Sequence, residues 1–302
     1  MRCRTNKSLD WLLALPPLLW LLVFYALPVL IVFLLSFKPV DAFGGIGSGW
    51  TLKTLEELGN PNYPAIIWRT LWLGVVSTIF CIITAIPISY QLARMQENSR
   101  RIFLMLIIVP FWTNFLIRIY AWKVFLHPDG FFKKLLVLIG LVPEDAMLLY
   151  NQWAVLAVMI YTYLPFAILP IYASAEKFDF SLMDAALDLG ASPWQSFHKV
   201  FLPGISKGIS AAVMVVLIPA FGAYLIPDLV GGPGSELLGD KIAQRVFTER
   251  NLPHASALSA ILMLVVFLPL LLWFWLKRFQ KNNGEDGKLV GSFMLKQEGP
   301  ES

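Results

Sequence analysis

Residues 184–203 read DAALDLGASPWQSFHKVFLP, a polar stretch with a central glycine and a Leu-Pro ending, set between two long apolar runs. Its entry, Phe180–Asp184, reads as a helix start. Ser181 is placed to cap, and Asp184, three residues on, to reach back as in a capping box while favouring the positive helix end. Ala185, Ala186, Leu187 and Leu189 continue as a short helix with a small-residue face. Gly190 stands where a helix stops, because glycine enters the left-handed region at no steric cost. Ser192 and Pro193 then open a second helix, the serine as N-cap and the proline where its missing N–H does no harm. Trp194, Phe197 and Val200 give it an apolar stripe, and Leu202-Pro203 close it and turn the chain into the next apolar run. The defined caps imply one fixed shape, and the alanines allow close approach by another backbone. A docking element fits this, and so does a plain interfacial connector.

The chain around it reads as membrane. Of 302 residues 57% are hydrophobic and only 15% charged, where soluble domains carry about a quarter charged. Six segments reach the roughly 20 apolar residues that a bilayer-crossing helix needs: 11–37, 68–93, 102–126, 153–174, 205–230 and 256–277. None alternates as an outer-membrane barrel strand does, so the expected fold is all-α. The first run is too long for a signal-peptide core and reads as a retained anchor. The formal charge of +4 reflects cytoplasmic loops rather than a nucleic-acid partner. Positive residues concentrate on one side, most plainly Arg94, Arg100 and Arg101 in one short loop, with Arg2, Arg4 and Lys7 before the first span and Lys177, Lys199 and Lys207 around the opening stretch. Both chain ends and that stretch are therefore expected in the cytoplasm. The organisation is a cytoplasmic N-terminus at 1–10, a six-span domain over 11–278 with the loop 175–204 inside it, and a polar, Gly-rich tail at 279–302 whose composition predicts disorder. Cys3 and Cys81 support neither a disulfide nor a metal site. His127, His198 and His254 have no metal-ligand spacing, and no catalytic constellation is visible.

The opening stretch resembles the EAA loop of ABC-importer permeases, whose pattern is E-A-A, three residues, G, nine residues, I-x-L-P. Here Asp184-Ala185-Ala186, Gly190 and Val200-Phe201-Leu202-Pro203 keep every spacing, with Asp for Glu and Val for Ile. Asn114–Trp122, Tyr163-Leu164-Pro165-Phe166 with Leu169–Tyr172, and Ile226–Pro233 are similar to the spermidine/putrescine permease group, in particular the first of its two permease subunits. The resemblance runs from the first span through the sixth. It implies a type I, MetI-like permease fold in a bacterial inner membrane. In that family the EAA loop (Asp184, Ala185, Ala186, Gly190, Val200, Leu202 and Pro203 here) couples the permease to a cytoplasmic ABC ATPase dimer. It also implies a second, related permease, with a homodimer left open, and an external solute-binding protein. The implied work is import of polyamines by alternating access.

The residues fit that expectation by what they lack. There is no G-x-x-x-x-G-K-[ST]; the run 284–289, GEDGKL, has the wrong spacing and no Ser or Thr. ATP use is therefore expected in a separate subunit, with no cofactor bound by this chain and no enzymatic role for it. Candidate passage residues are Asp228, just past Pro219, Gly222 and Pro227, which interrupt the fifth span, and Tyr224, one turn before it. Carboxylate and ring together suit an ammonium ligand. Arg118, a charge inside the third span, is either a passage residue or half of a structural ion pair. Trp112, Trp122, Tyr161, Tyr163 and Tyr172 are further candidates, weighed against interfacial belts and plain packing. The alternatives are a permease of this type for another small cationic or amino-acid-like solute, an ATPase-independent secondary transporter, and a lipid-processing membrane enzyme. The last two would need paired intramembrane charges or an inverted repeat, and clustered His, Asp or Glu, respectively.

Overall fold

The computed structural model describes residues 7–41 and 45–267. Helix α1 (Lys7–Leu21) passes through one π-type turn, Leu22–Ala26, into α2 (Leu27–Leu35). A short α3 (Lys53–Glu57) precedes α4 (Asn62–Arg94), α5 (Glu97–Ile108), α6 (Phe115–Phe125), α7 (Phe131–Leu138) and α8 (Gln152–Ala175). Then come α9 (Ser181–Asp188), α10 (Pro193–Ser196), α11 (Leu202–Gly204), α12 (Ser206–Phe221), α13 (Leu225–Val230), α14 (Leu238–Phe247) and α15 (Leu252–Phe267). Among the described residues the only β feature is an isolated Val40–Ile46 bridge, and the fold is all-α.

Among the described residues three unbroken helices have the length and apolarity to cross a bilayer: Ala14–Leu35, Asn62–Arg94 and Gln152–Ala175. The expected third span, 102–126, is instead two helical pieces meeting at 93°. Pro110 supplies no N–H and sits in a tight 3-10 turn, Val109–Trp112, after which Thr113 is extended. Asn114 then starts α6 afresh, its Oδ1 accepting the Leu116 N–H at 2.8 Å. The fifth span is likewise divided. It leaves the α10–α11 segment through a 67° bend at Ile205, and its helix stops at Gly222 before α13 resumes. Helix α15 covers the start of the expected sixth span. Residues 268–277 of that span, the tail 279–302, Cys3 and the first six residues lie outside the described residues.

The core lies where α4, α8 and α12 pack along one another. Lipid is as apolar as leucine, so close packing of small side chains, rather than escape from water, holds such helices together. Ala85, Ala154, Ala167, Ala175, Ala212 and Ala220 are all buried at this seam. Polar side chains stitch it further: Ser89 Oγ donates to the Ile168 carbonyl at 3.3 Å, and the Tyr163 hydroxyl to the Pro219 carbonyl at 3.2 Å. Gly208 is the tightest point, since a Cβ there would stand 2.4 Å from Ser174 Cβ and 2.8 Å from the Pro170 carbonyl. Gly208→Leu is therefore expected to lower stability by about 2–3 kcal/mol, read as a fall in Tm of the detergent-solubilised protein.

Candidate functional site

The loop between α8 and α12 is built from local chemistry. Asp179, not Ser181, starts α9: its Oδ1 accepts the Ser181 N–H at 3.0 Å, and hydrogen bonds from the Ser181 hydroxyl and N–H hold its carboxyl below the usual aspartate value. Asp184 remains in the first helical turn. At the other end Gly190 takes φ +88°, its N–H reaching the Leu187 carbonyl at 2.9 Å, while the Ala191 N–H reaches that of Ala186 at 3.0 Å. That pair of bonds is a Schellman stop, and it requires a left-handed residue four positions after Ala186. Ser192 and Gln195 form a reciprocal capping box at the start of α10. Ser196 Oγ donates to the Met183 carbonyl at 3.2 Å and locks the two short helices together.

Beneath the loop lies an aromatic cluster. Phe178, Phe180, Phe197 and Phe201 stack on one another with centroids 5.3–6.0 Å apart, and Tyr90 from α4 meets three of them, Phe201 at 5.0 Å, Phe197 at 5.4 Å and Phe180 at 6.0 Å. Each such ring pair contributes about 0.5–1.5 kcal/mol beyond its burial. A π-type turn over Phe197–Phe201 puts those two rings together, and Val200 and Leu202 pack on the core beside them while Pro203 is exposed. On the outer face Leu182, Leu187, Leu189 and Trp194 are exposed, Leu189 at 89%. Trp194, read from the sequence as part of an apolar stripe, stacks on Phe197 from outside. Large apolar side chains exposed together on an otherwise polar loop suit contact with a protein or a membrane surface.

A second constellation lies at the opposite end of the bundle. A cavity of about 330 Å³ is lined by Tyr224, Asp228, Glu236, Asp240, Gln244 and Phe247, with Ala243 and Thr248 completing its wall. The fold brings it together by pinning α14 back onto α4. The Leu238 N–H donates to Thr70 Oγ1 at 2.8 Å, Arg69 donates to the Glu236 carbonyl at 3.3 Å, and Arg245 donates to the Tyr63 hydroxyl at 3.1 Å. Tyr63 in turn contacts His254 Nε2 at 2.8 Å, and His254 Nδ1 lies 3.2 Å from Glu57. Glu236 pairs with Lys241 at 3.2 Å. Burial, then the neighbouring Asp228 and Glu236 charges, push the Asp240 carboxyl from 3.8 up to about 6 against the opposing pull of Lys241. The sequence reading reached Tyr224 and Asp228 and missed Glu236, Asp240, Gln244 and Phe247. Only the four-residue spacing of Asp240 and Gln244 on one helical face hinted at the rest.

Arg118, Trp122 and Tyr161 also come together. With Ala121 and Phe125 they line a hollow of about 310 Å³. Trp122 meets Tyr161 edge-on at 5.3 Å, and the Arg118 guanidinium lies over Phe111 at 5.1 Å and Phe115 at 5.7 Å, bracing the 93° bend. Among the described residues no acid pairs with Arg118, and its Nε is buried without a hydrogen-bond partner. Helix α13 packs between the two constellations, against α6 and α8. Tyr163 faces elsewhere, buried between α8 and α12, and Tyr172 is buried with its hydroxyl on Glu176 at 2.8 Å. Trp112 is 83% exposed and joins neither group.

A family profile described as binding-protein-dependent transport system inner membrane component matches residues 75–281. The spermidine/putrescine transport system permease protein PotB of Haemophilus influenzae is 35% identical over 255 residues, covering 84% of this chain and 89% of that one. Among solved structures, a bacterial ABC transporter involved in import of the acidic polysaccharide alginate superposes with a TM-score of 0.66 at 19% identity, covering 89% of this chain and 96% of its counterpart. The bacterial alginate transporter in complex with an alginate pentasaccharide-bound periplasmic protein gives 0.65 at 19% identity with the same coverage. At that identity the likeness speaks for the fold.

The pocket carries its own pH test. The folded chain holds the Asp240 proton more tightly than the unfolded chain, so acid favours the fold and this advantage is lost as pH rises from about 4 to about 6. Asp240→Asn should match the parent's Tm near pH 4 and exceed it above pH 6.

Proposed function

The chain belongs to the binding-protein-dependent transport system inner membrane component family, and on that premise we propose that it imports polyamines as one permease subunit of an ATP-driven transporter. Putrescine and spermidine are the substrates of choice, handed over by an external solute-binding protein. The pocket of Tyr224, Asp228, Glu236 and Asp240 carries this reading. Carboxylates beside aromatic faces suit a flexible dication through charge and cation–π attraction, and the 35%-identical relative is named for the same solutes.

Both chain ends lie in the cytoplasm, and so does the 175–204 loop. Its exposed face, with Leu182, Leu187, Leu189 and Trp194, seats on one subunit of an ABC ATPase dimer. Asp184, Ala185, Ala186, Gly190, Val200, Leu202 and Pro203 supply the shape rather than the chemistry. ATP is bound and hydrolysed in that partner, and this chain holds no cofactor of its own. A second, related permease completes the passage, with Arg118, Trp122 and Tyr161 on the wall contributed here. A fixed cation at that position repels an ammonium group, so Arg118 marks a place the substrate passes rather than a place where it rests. Closure of the ATPase dimer draws the loops together and opens the passage outward; hydrolysis reverses it. The periplasmic protein seated on the alginate transporter supports the docking of a loaded binding protein on the outer loops.

The test is uptake of labelled putrescine and spermidine in cells with and without the chain. Deletion should abolish uptake, and Gly190→Trp, inserted at normal levels, should do the same, because an L side chain at φ +88° is strained even though open space surrounds it. Asp228→Asn should raise the half-saturating putrescine concentration about ten-fold, the weight of one charge-assisted contact. Unchanged uptake in the deletion strain, with no other polyamine importer present, would sink the substrate assignment.

A further inference from the structure

The loop 175–204 continues by peptide bonds into α8 at one end and α12 at the other, but it has no chain connection to α4, the longest helix of the core. What reaches α4 from the loop is a set of ring contacts. Among the described residues Tyr90 is the sole aromatic side chain outside the loop that stacks in its cluster, touching Phe180, Phe197 and Phe201. Arg94, one turn on, donates to the Tyr90 hydroxyl and lies over the rings of Tyr90 and Phe180, so Tyr90 is held from its own helix as well. Further along, α4 packs on α8 and α12 through Gly74, Ser77, Cys81 and Ala85, with Leu73 and Leu92, and through the Ser89–Ile168 bond.

The geometry points to Tyr90 as the positioning residue that makes α4 move with the loop. A push on the loop reaches α8 and α12 through the backbone. Without Tyr90 the loop's direct hold on α4 falls to Arg94 over Phe180, and the push otherwise arrives at one remove, through the α8 and α12 seam and the Arg100–Glu176 pair on α5. Phe178, Phe180, Phe197 and Phe201 form the loop's own stack, so the loop keeps its shape when Tyr90 is removed. Tyr90 thus transmits displacement without being needed for docking. This rests on the reading of the loop as the ATPase contact.

The complete transporter, reconstituted with its ATPase, second permease and binding protein in proteoliposomes, separates the two ideas. Tyr90→Leu should leave ATP hydrolysis within about two-fold of the parent and lower putrescine imported per ATP about ten-fold, a loss of the size expected for one coupling residue. Tyr90→Phe should restore the ratio, because the ring carries the contact. A normal import-to-hydrolysis ratio in Tyr90→Leu overturns the inference, and so does a parallel loss of hydrolysis and import, which would make Tyr90 a docking support. If Gly190→Trp leaves that ratio intact, the reading of the loop fails instead. A second readout needs only ATP. Spin labels at Thr84 on α4 and Lys199 in the loop, both exposed, in a background with Cys3 and Cys81 replaced by serine, should keep one separation with and without ATP in the parent. In Tyr90→Leu that separation should change. A parent separation that changes on ATP binding overturns the inference whatever the substrate proves to be.

Discussion

Hydrocarbon offers a peptide group no hydrogen-bond partner, and this shapes the chain more than any other constraint. It forces helices wherever the chain meets lipid, and it allows irregular backbone only where protein or water covers it. The two interruptions, at Thr113–Asn114 and Gly222–Tyr224, are each followed at once by a new helix, α6 and α13, and these two helices pack against each other. Backbone groups released there find side chains: the Pro219 carbonyl accepts from the Tyr163 hydroxyl, and the Leu116 N–H donates to Asn114 Oδ1. The charged and aromatic groups of functional interest, Asp228 and Tyr224 on one side and Arg118 and Trp122 on the other, gather beside these breaks. Irregular backbone and chemistry therefore share one region of the bundle.

The two ends of the bundle are held by different forces. Along α4, α8 and α12 buried alanine, glycine and serine sit among Leu73, Val158, Met159, Ile168 and Val216, with inter-helix hydrogen bonds worth about 0.6 kcal/mol each. Shape complementarity keeps that seam together. The loop end is fastened by rings, whose large faces leave few alternative arrangements. The opposite end is fastened by a polar chain from Glu57 through His254 and Tyr63 to Arg245, with burial, and then Arg245, holding the His254 pKa below its usual value. The neutral imidazole can thus accept at one nitrogen and donate at the other, and α14 stays where Asp240 faces Asp228.

The loop was readable because each of its residues does a local job. Gly190 answers to Ala186 and Leu187 a few positions back, and Ser192 to Gln195 three positions on, so spacing alone reports the shape. The misplaced cap shows the limit: in Asp179-Phe180-Ser181 two side chains can start the helix, and packing of Phe180 into the aromatic cluster decides for Asp179. The acidic pocket was half readable. Tyr224 and Asp228 share a helical face, whereas Glu236 and Asp240 join them through bonds to Tyr63, Arg69 and Thr70, far away in sequence. In spans that are apolar all round, periodicity cannot tell an inward from an outward ring. Tyr161 and Tyr163 therefore looked alike, though one lines a hollow and the other seals the seam. The 93° break passed unseen because Thr113 and Asn114, which mark it, are too few to break an otherwise apolar run of span length.

The left-handed turn at Gly190 also has a consequence for inheritance. A glycine codon can reach alanine, valine, serine, cysteine, arginine, tryptophan, aspartate or glutamate by one base change, but never asparagine, the other residue most at ease in that conformation. The one tolerant neighbour within a single step is aspartate. It would set a negative charge against the carbonyl end of α9, where the helix dipole disfavours it. A gene encoding this loop is thus boxed in at that codon: every single-base escape brings either backbone strain or an adverse charge, and silent changes are the free ones.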